Sequence, residues 1–148
     1  MSAIQEFKKD NFIISTDKDL LDVNAIHTFL ANQSYWAQGI SRETVQKFIA
    51  NSLVFGLYSP AGQIGFARII TDKAVFAYLA DVFILPEHRG KGLSKWLMEC
   101  VLAHPDLQGL KKWLLATKDA HGLYTQFGFT PLANPEKMME RRAEGLKN

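Results

Sequence analysis

Two glycines flank a lysine in the stretch Arg89-Gly90-Lys91-Gly92, and a run of apolar residues with helical spacing begins directly after it. A helix that starts at such a turn leaves several backbone N–H groups unpaired, and its peptide dipoles add partial positive charge there. Glycines let a ligand approach the backbone closely, and Arg89 and Lys91 add formal charge. The stretch therefore predicts a site for an anion, most simply a phosphate or a pyrophosphate.

Two widespread phosphate-binding motifs do not fit this turn. A P-loop has four residues between its first glycine and a Gly-Lys-Ser or Gly-Lys-Thr sequence, and that spacing is missing here. A Rossmann fingerprint would have glycine or alanine where Lys95 stands, inside a βαβ unit near the N-terminus. The turn therefore belongs to a different kind of anion site.

The elements that must hold the turn are predicted from the spacing of apolar residues. The run from 75 to 85 indicates a long strand, and residues 93–101 form an apolar helix face that stops before Pro105. Further strands are predicted at 12–15, 53–58, 64–71 and 112–117. Helices are predicted at 16–33, with Asp17 or Thr16 as cap, and at 41–52, with Ser41 as cap.

A short helix and an ambiguous tail follow the last of these strands. Residues 119–129 indicate a short helix that Asp119 caps, with Gly128 in the left-handed stop position and Phe129 as its apolar clasp. In the tail, propensity favours a helix capped by Asn134, whereas residues 137–142 alternatively form a final strand. The whole order, β-α-α-β-β-β-α-β-α-β, is typical of a mixed α/β layer protein.

Composition limits the class of protein. The 148 residues are 47% hydrophobic and 22% charged, which predicts one globular domain spanning 1–148. A net charge of +2 is too small to indicate a nucleic-acid or membrane-surface partner. The single cysteine, Cys100, excludes an intramolecular disulfide, and the four histidines lack the short spacing of metal ligands. Because no apolar run has the length of a membrane span or a signal-peptide core, we expect a cytoplasmic protein.

The stretch Arg89-Gly90-Lys91-Gly92-Leu93-Ser94 resembles the acetyl-coenzyme A signature of the GNAT acetyltransferase superfamily, Arg/Gln-x-x-Gly-x-Gly/Ala. DVFILPEH, directly upstream, is similar to the family's fourth strand. AHGLYTQFGF, downstream, is similar to its late segment with a tyrosine shortly before Gly-Phe. Ser94 departs from the family's preference for glycine or alanine, but serine is small enough for the loop to form.

The resemblance implies a single GNAT-like domain with helices on both faces of a mixed, mostly antiparallel sheet of six to seven strands. That sheet is expected to splay between its fourth and fifth strands, here 75–85 and 112–117. Acetyl-coenzyme A is the implied co-substrate, and no metal is needed. Its pantetheine arm is expected on the backbone of Val82, Phe83 and Ile84. Its pyrophosphate is expected on the amides of Arg89, Gly90, Lys91, Gly92, Leu93, Ser94 and Lys95.

Two side chains are candidates for the proton transfers that acetylation of an amine requires. Tyr124 matches the family's tyrosine, which implies a general acid for the departing thiolate; alternatively it only packs under the Gly-Phe clasp. Asp81 lies on the strand beside the expected thioester, where some family members carry a carboxylate, and is the candidate base; alternatively it makes a structural hydrogen bond to a loop. Cys100 lies on the apolar helix face and is expected in the core rather than as a nucleophile.

The acceptor side is less constrained by the sequence. Tyr35 and Trp36 lie between the first two helices, in a segment that covers the acceptor pocket in similar proteins. The resemblance therefore implies that they bind the acceptor; alternatively they cap the core. Arg68 is either an ion-pair partner or a contact for an acidic acceptor. The expected reaction is direct acetyl transfer to a primary amine of a small molecule or a protein. The alternatives are a non-catalytic acyl-coenzyme A binding or sensing module and, less favoured by the charge, a nucleic-acid-binding domain. A homodimer through a late strand is a further expectation from the resemblance.

Overall fold

The sheet contains six strands that neighbour one another in chain order. They are β1 (Glu6–Lys9), β2 (Phe12–Ser15), β3 (Leu53–Ser59), β4 (Gly62–Thr71), β5 (Phe76–Ile84) and β6 (Lys112–Leu115). Neighbours from β1 to β5 pair antiparallel, and β6 pairs parallel to β5. The structure is a computed structural model that describes residues 3–143. The mixed, mostly antiparallel sheet predicted from the sequence is confirmed, with six strands.

Residues 3–143 form four α-helices. They are α1 (Val23–Gln33), α2 (Arg42–Ala50), α3 (Leu93–Leu102) and α4 (His121–Thr125). The chain divides into two units, Met1–Thr117, which holds the sheet and α1 to α3, and Lys118–Asn148, which holds α4. No helix that the structure describes has the length and apolar character needed to cross a bilayer.

Helices of the first unit cover both faces of the sheet. Phe29 of α1 and Val45 of α2 lie in one buried cluster with Val54 of β3. Because side chains alternate along a strand, Phe55 points to the opposite face, where its ring meets His104 just after α3. The predicted apolar face of α3 is confirmed, since all its members are buried: Leu93, Trp96, Leu97, Cys100 and Val101.

The N-terminal segment differs from the prediction at two places. The first helix starts at Val23, where the Asp22 side chain accepts the Ala25 N–H, whereas Asp17 caps only a separate 3₁₀ turn. The helix does not reach back to Asp17 because Leu21 between the two caps is extended. The strand β1 was not predicted, because its sequence EFKK has a single apolar residue. Charged side chains of this kind are common on an edge strand.

The late helix and the tail also differ from the prediction. Ala120, not Asp119, precedes α4, and no side chain caps this helix. In the tail, both the helix and the strand predictions are wrong over the described part, which has one 3₁₀ turn at Pro135–Lys137 and no further regular element to 143. Every residue from 130 to 141 is exposed, so no buried face stabilises either element there. The rest of the predicted tail helix lies outside the described residues.

Candidate active site

The strand β5 pairs with β6 over only part of its length. Partners are found for Phe76 to Leu79, opposite the whole of β6, whereas Ala80 to Ile84 continue without a partner in that strand. The ladder between β4 and β5 is irregular at the same level. From the pair Phe66–Phe83 to the pair Arg68–Ala80, the chain moves two residues along β4 but three along β5. Asp81 adopts the left-handed conformation there, with φ of 52°. This bulge marks the point where β5 and β6 part, in agreement with the expected splay.

Backbone groups of β5 beyond the bulge face two different edges. The Leu85 N–H donates to the Ile64 carbonyl at 2.8 Å, and the Phe83 carbonyl lies beside Gly65, so both face β4. Because successive residues of a strand direct their N–H and C=O groups to opposite edges, Val82 and Ile84 face the edge that β6 leaves. These are the backbone groups that a ligand between the two strands would meet.

The turn before α3 presents a row of backbone amides. Gly90 and Gly92 are both left-handed, with φ of 80° and 75°, and Gly92 is the N-cap of α3 without a side-chain cap. The first hydrogen bond of the helix runs from the Trp96 N–H to the Gly92 carbonyl. Within residues 3–143, the amides from Gly90 to Lys95 have no acceptor. Such a row at the start of a ten-residue helix is suited to an anion.

Arg89 ties this turn to the end of β5. Its backbone N–H donates to the Pro86 carbonyl at 3.2 Å, so the row of amides begins at Gly90 rather than at Arg89 as predicted. Its Nε donates to the Ile84 carbonyl at 3.0 Å. The arginine therefore couples the predicted pyrophosphate turn to the strand edge predicted to hold the pantetheine arm.

Asp81 is held by two side chains. Arg68 Nε donates to its Oδ2, and the indole Nε1 of Trp36 donates to its Oδ1, each at 2.7 Å. The aspartate side chain is 7% exposed and that of the arginine 17%. Arg68 also lies over the Phe48 ring, 4.3 Å from its centroid. Arg68 therefore makes an ion pair and Asp81 a hydrogen bond to a loop, one of the two alternatives given for each residue. The base role of Asp81 stays a prediction.

The aromatic pair between α1 and α2 lies above this carboxylate. The rings of Tyr35 and Trp36 meet edge to face, with centroids 5.0 Å apart, and the residues remain 48% and 43% exposed. Trp36 also contacts Phe29, which stacks on Phe83 of β5 at 4.1 Å. The pair therefore joins the core at its inner side and presents an aromatic surface at its outer side.

Tyr124 belongs to the second unit, where the predicted clasp is confirmed. It lies in α4 and is 8% exposed. Gly128 has φ of 89°, and the Phe129 N–H donates back to the Tyr124 carbonyl at 3.2 Å. The two rings meet edge to face at 5.9 Å.

Comparisons with known proteins decide the family. The family model described as "Acetyltransferase (GNAT) domain" matches residues 50–131, more than half of the chain. The chain belongs to the GNAT acetyltransferase family. A solved structure from Xanthomonas campestris pv. campestris, provisionally assigned to GNAT, is 52% identical and has a TM-score of 0.89. The match covers 98% of that chain and 94% of this one.

Two further relatives extend the comparison. A Gibberella zeae protein, provisionally named an acetyltransferase, is 31% identical in an alignment of 142 positions, and the match covers 81% of this chain and 79% of that protein. A Clostridium acetobutylicum structure with acetyl-coenzyme A, also provisionally named an acetyltransferase, is 15% identical with a TM-score of 0.66. It covers 95% of this chain and 96% of its own, and at this identity it shows the shared GNAT fold alone.

The cysteine of this GNAT protein is a core residue. Cys100 is 4% exposed, and burial together with the neighbouring Glu99 raises the pKa of its thiol to about 12. It is therefore a protonated core residue at neutral pH, as expected. Across residues 3–143, no three His, Cys, Asp or Glu side chains gather as metal ligands.

Sequence reasoning named most of these positions but missed their connections. The bond between Trp36 and Asp81 joins residues 45 positions apart, and no local pattern predicts such a contact. The anchoring of Arg89 on Ile84 was also missed. A signal was present only for the bulge, since an aspartate within a long apolar strand is unusual and aspartate tolerates the left-handed conformation.

Proposed function

We propose that this protein transfers the acetyl group of acetyl-coenzyme A to a primary amine by direct attack. One observation carries the proposal: the unpaired amides from Gly90 to Lys95 lie beside a strand whose edge β6 leaves at Ala80. A pyrophosphate fits the amides, and an extended amide-containing arm fits the strand edge. In the GNAT structure from Clostridium acetobutylicum the ligand is acetyl-coenzyme A.

The residues of the turn would hold the donor from its phosphate end. The amides of Gly90, Lys91, Gly92, Leu93, Ser94 and Lys95 supply hydrogen bonds, with Arg89 next to them. Neither glycine has an atom within 4 Å of the position of an added Cβ, which leaves space for phosphate oxygens beside the backbone. The N–H groups of Val82 and Ile84 would orient the arm that follows, whereas Phe83, predicted with them, directs its carbonyl toward β4.

Acetyl-coenzyme A supplies an activated thioester, and the protein must supply hydrogen bonds and proton transfers. The Val82 and Ile84 N–H groups face the open edge, which makes them the candidates for stabilising negative charge on the carbonyl oxygen. Tyr124 is the proposed general acid for the departing thiolate.

The amine must lose a proton before it attacks, and a water relay is the proposed route. Asp81 stays the predicted base in this scheme. Each of its oxygens already accepts one hydrogen bond, but a carboxylate oxygen has a second lone pair with which to accept from water.

Binding of a truncated donor tests the observation that carries the proposal. Acetyl-pantetheine keeps the thioester and the arm but lacks the pyrophosphate, so calorimetric titration should give it an affinity about 100-fold weaker than acetyl-coenzyme A. Equal affinities of the two donors would show that the amides from Gly90 to Lys95 do not bind the pyrophosphate. Thiol release from acetyl-coenzyme A with a panel of amines then tests turnover. Tight binding with no release for any amine would favour the non-catalytic acyl-coenzyme A module instead.

Three further properties belong to the same proposal. Residues 1–148 act as one N-acetyltransferase domain, the acceptor is a small-molecule or protein amine, and the protein works in the cytoplasm. A homodimer stays a prediction that light scattering in solution tests directly. Cell fractionation tests the compartment.

A further inference from the structure

The loop between α1 and α2 is held by hydrogen bonds of the Ser34 hydroxyl and of its own backbone. The Ser34 hydroxyl donates to the Leu30 carbonyl at 2.7 Å and accepts the Ala37 N–H at 3.0 Å. The Gly39 N–H donates to the Ala31 carbonyl at 3.1 Å. Tyr35 and Trp36 lie within this braced segment, so their exposed surface is already arranged before any ligand arrives.

A second set of bonds fixes the same loop to β5. The indole of Trp36 donates to Asp81, and Arg68 of β4 holds the other oxygen of that carboxylate. We call Arg68, Asp81 and Trp36 the clamp. It attaches the aromatic surface directly next to Val82, the first residue beyond the bulge on the proposed donor strand.

The loop 34–40 and the strands β4 and β5 offer no unpaired charge beside the aromatic surface. The loop sequence SYWAQGI, residues 34–40, has no charged side chain. Arg68 is the single charged residue of β4 and Asp81 the single charged residue of β5, and these two are paired with each other. A second cationic group on an acceptor would find no free carboxylate on these three segments, and an acidic group would find no free cation there.

We propose that the acceptor is a primary amine on an aromatic or apolar body without a second charged group, and that Tyr35 and Trp36 receive this body. The inference rests on the proposed acetyl transfer and names its substrate class. Half-exposed, preorganised aromatic rings favour stacking with an aryl group. Arg68 and Asp81 keep the indole in place. This positioning is separate from the base role predicted for Asp81, and it does not require either residue to contact the amine.

A panel of matched amines tests the substrate class. Thiol release from acetyl-coenzyme A is measured with 2-phenylethylamine, 1,4-diaminobutane and β-alanine. The expected kcat/KM is roughly tenfold or more higher for 2-phenylethylamine than for the other two. If 1,4-diaminobutane or β-alanine is used as well as or better than 2-phenylethylamine, acetyl transfer stands and the inference fails. If no amine causes release, acetyl transfer itself fails, and the inference fails with it.

The clamp is tested by removing one hydrogen bond while keeping the ring. In Trp36→Phe the KM for 2-phenylethylamine should rise about three- to tenfold, with the KM for acetyl-coenzyme A unchanged. Trp113→Phe, on β6, is the matched control and should leave both KM values as they are. A Trp36→Phe variant with wild-type KM for the amine would overturn the role of the clamp.

Asp81→Asn separates positioning from base catalysis. In this variant an NH2 group replaces the oxygen that accepts from Arg68, which breaks the ion pair of the clamp. The positioning role therefore predicts a raised KM for the amine, whereas the predicted base role lowers kcat. A kcat lowered 100-fold or more with unchanged KM would make Asp81 the base and overturn the positioning role. Thermal unfolding of each variant, with and without acetyl-coenzyme A, reports folding, and Trp36→Phe tests the clamp independently of Asp81.

Discussion

The ring of Tyr124 packs edge-on against Phe129, and the backbone bond between these residues closes the end of α4. Removing only the phenolic oxygen leaves both contacts in place. For Tyr124→Phe we therefore expect kcat to fall by about 100-fold, the contribution typical of a positioned acid, while the KM for acetyl-coenzyme A is unchanged. Steady-state thiol release over a range of pH measures this. Full activity at every pH would show that the tyrosine only packs.

His104 is the other side chain whose chemistry is set by burial. It is 1% exposed, its Nδ1 accepts the Asp106 N–H at 3.0 Å, and its Nε2 has no partner among the described residues. Loss of hydration lowers the pKa of this imidazole below its ordinary value of 6.5, and nearby Asp106 opposes the shift only in part. The folded protein therefore holds His104 neutral where the unfolded chain already binds a proton.

This difference in bound protons makes the free energy of unfolding depend on pH. The unfolded state binds more protons below pH 6.5, so the His104 contribution should lower the free energy of unfolding from about pH 6.5 down to the folded pKa. His104→Asn keeps a side-chain acceptor for the Asp106 N–H but does not titrate. Urea unfolding between pH 5 and 8 should show a flatter profile for this variant. An unchanged slope would mean that His104 does not contribute.

The start of α3 provides a test at the level of an element. Gly92 is left-handed, and an added Cβ there would meet no atom within 4 Å, so the cost of Gly92→Ala is conformational rather than steric. We expect the free energy of unfolding to fall by about 1 kcal/mol. Gly122 of α4 also has open space but lacks a positive φ, so Gly122→Ala is the matched control. That variant should be neutral or slightly more stable. Equal effects in both variants would contradict the conformational argument.

Elements with a clear apolar period were predicted well. Ser41 caps α2 as expected, and the strand at 12–15 has the predicted bounds. In both, the local pattern and the tertiary contacts agree. The start of α1 was missed because two aspartates, Asp17 and Asp22, are both good caps, and a hydrogen bond from the Asp22 N–H to Gln63 favours the second.

The sequence predicted the turn of the candidate site but not the contacts between distant segments. The turn from Arg89 to Ser94 is a local feature, so its glycines and its helix start are visible in the chain itself. The clamp of Arg68, Asp81 and Trp36 exists only after three distant segments have packed. The parting of β5 from β6 depends on the register between strands, which no short stretch of sequence specifies.

The charge of the whole molecule separates the proposed function from nucleic-acid binding. Its net charge is +2, and the proposed phosphate contacts are mostly backbone amides, whose dipoles are fixed by the fold. We expect raising NaCl from about 50 to about 500 mM to weaken acetyl-coenzyme A binding less than about tenfold. A duplex DNA should show no binding at about 150 mM salt. Calorimetry and fluorescence anisotropy measure the two. Duplex binding with a steep salt dependence would support the rival function.

The left-handed residue in β5 divides one continuous strand into a structural half and a binding half. A substitution that restored a regular extended conformation at position 81 would let residues 116–117, directly after β6, continue the parallel ladder and close the slot between the strands. Widening that slot for a bulkier acyl donor would accordingly call for moving the kink along the strand. Only the side chains between the old and the new position of the kink would change face, since the strand beyond both positions keeps its register with β4.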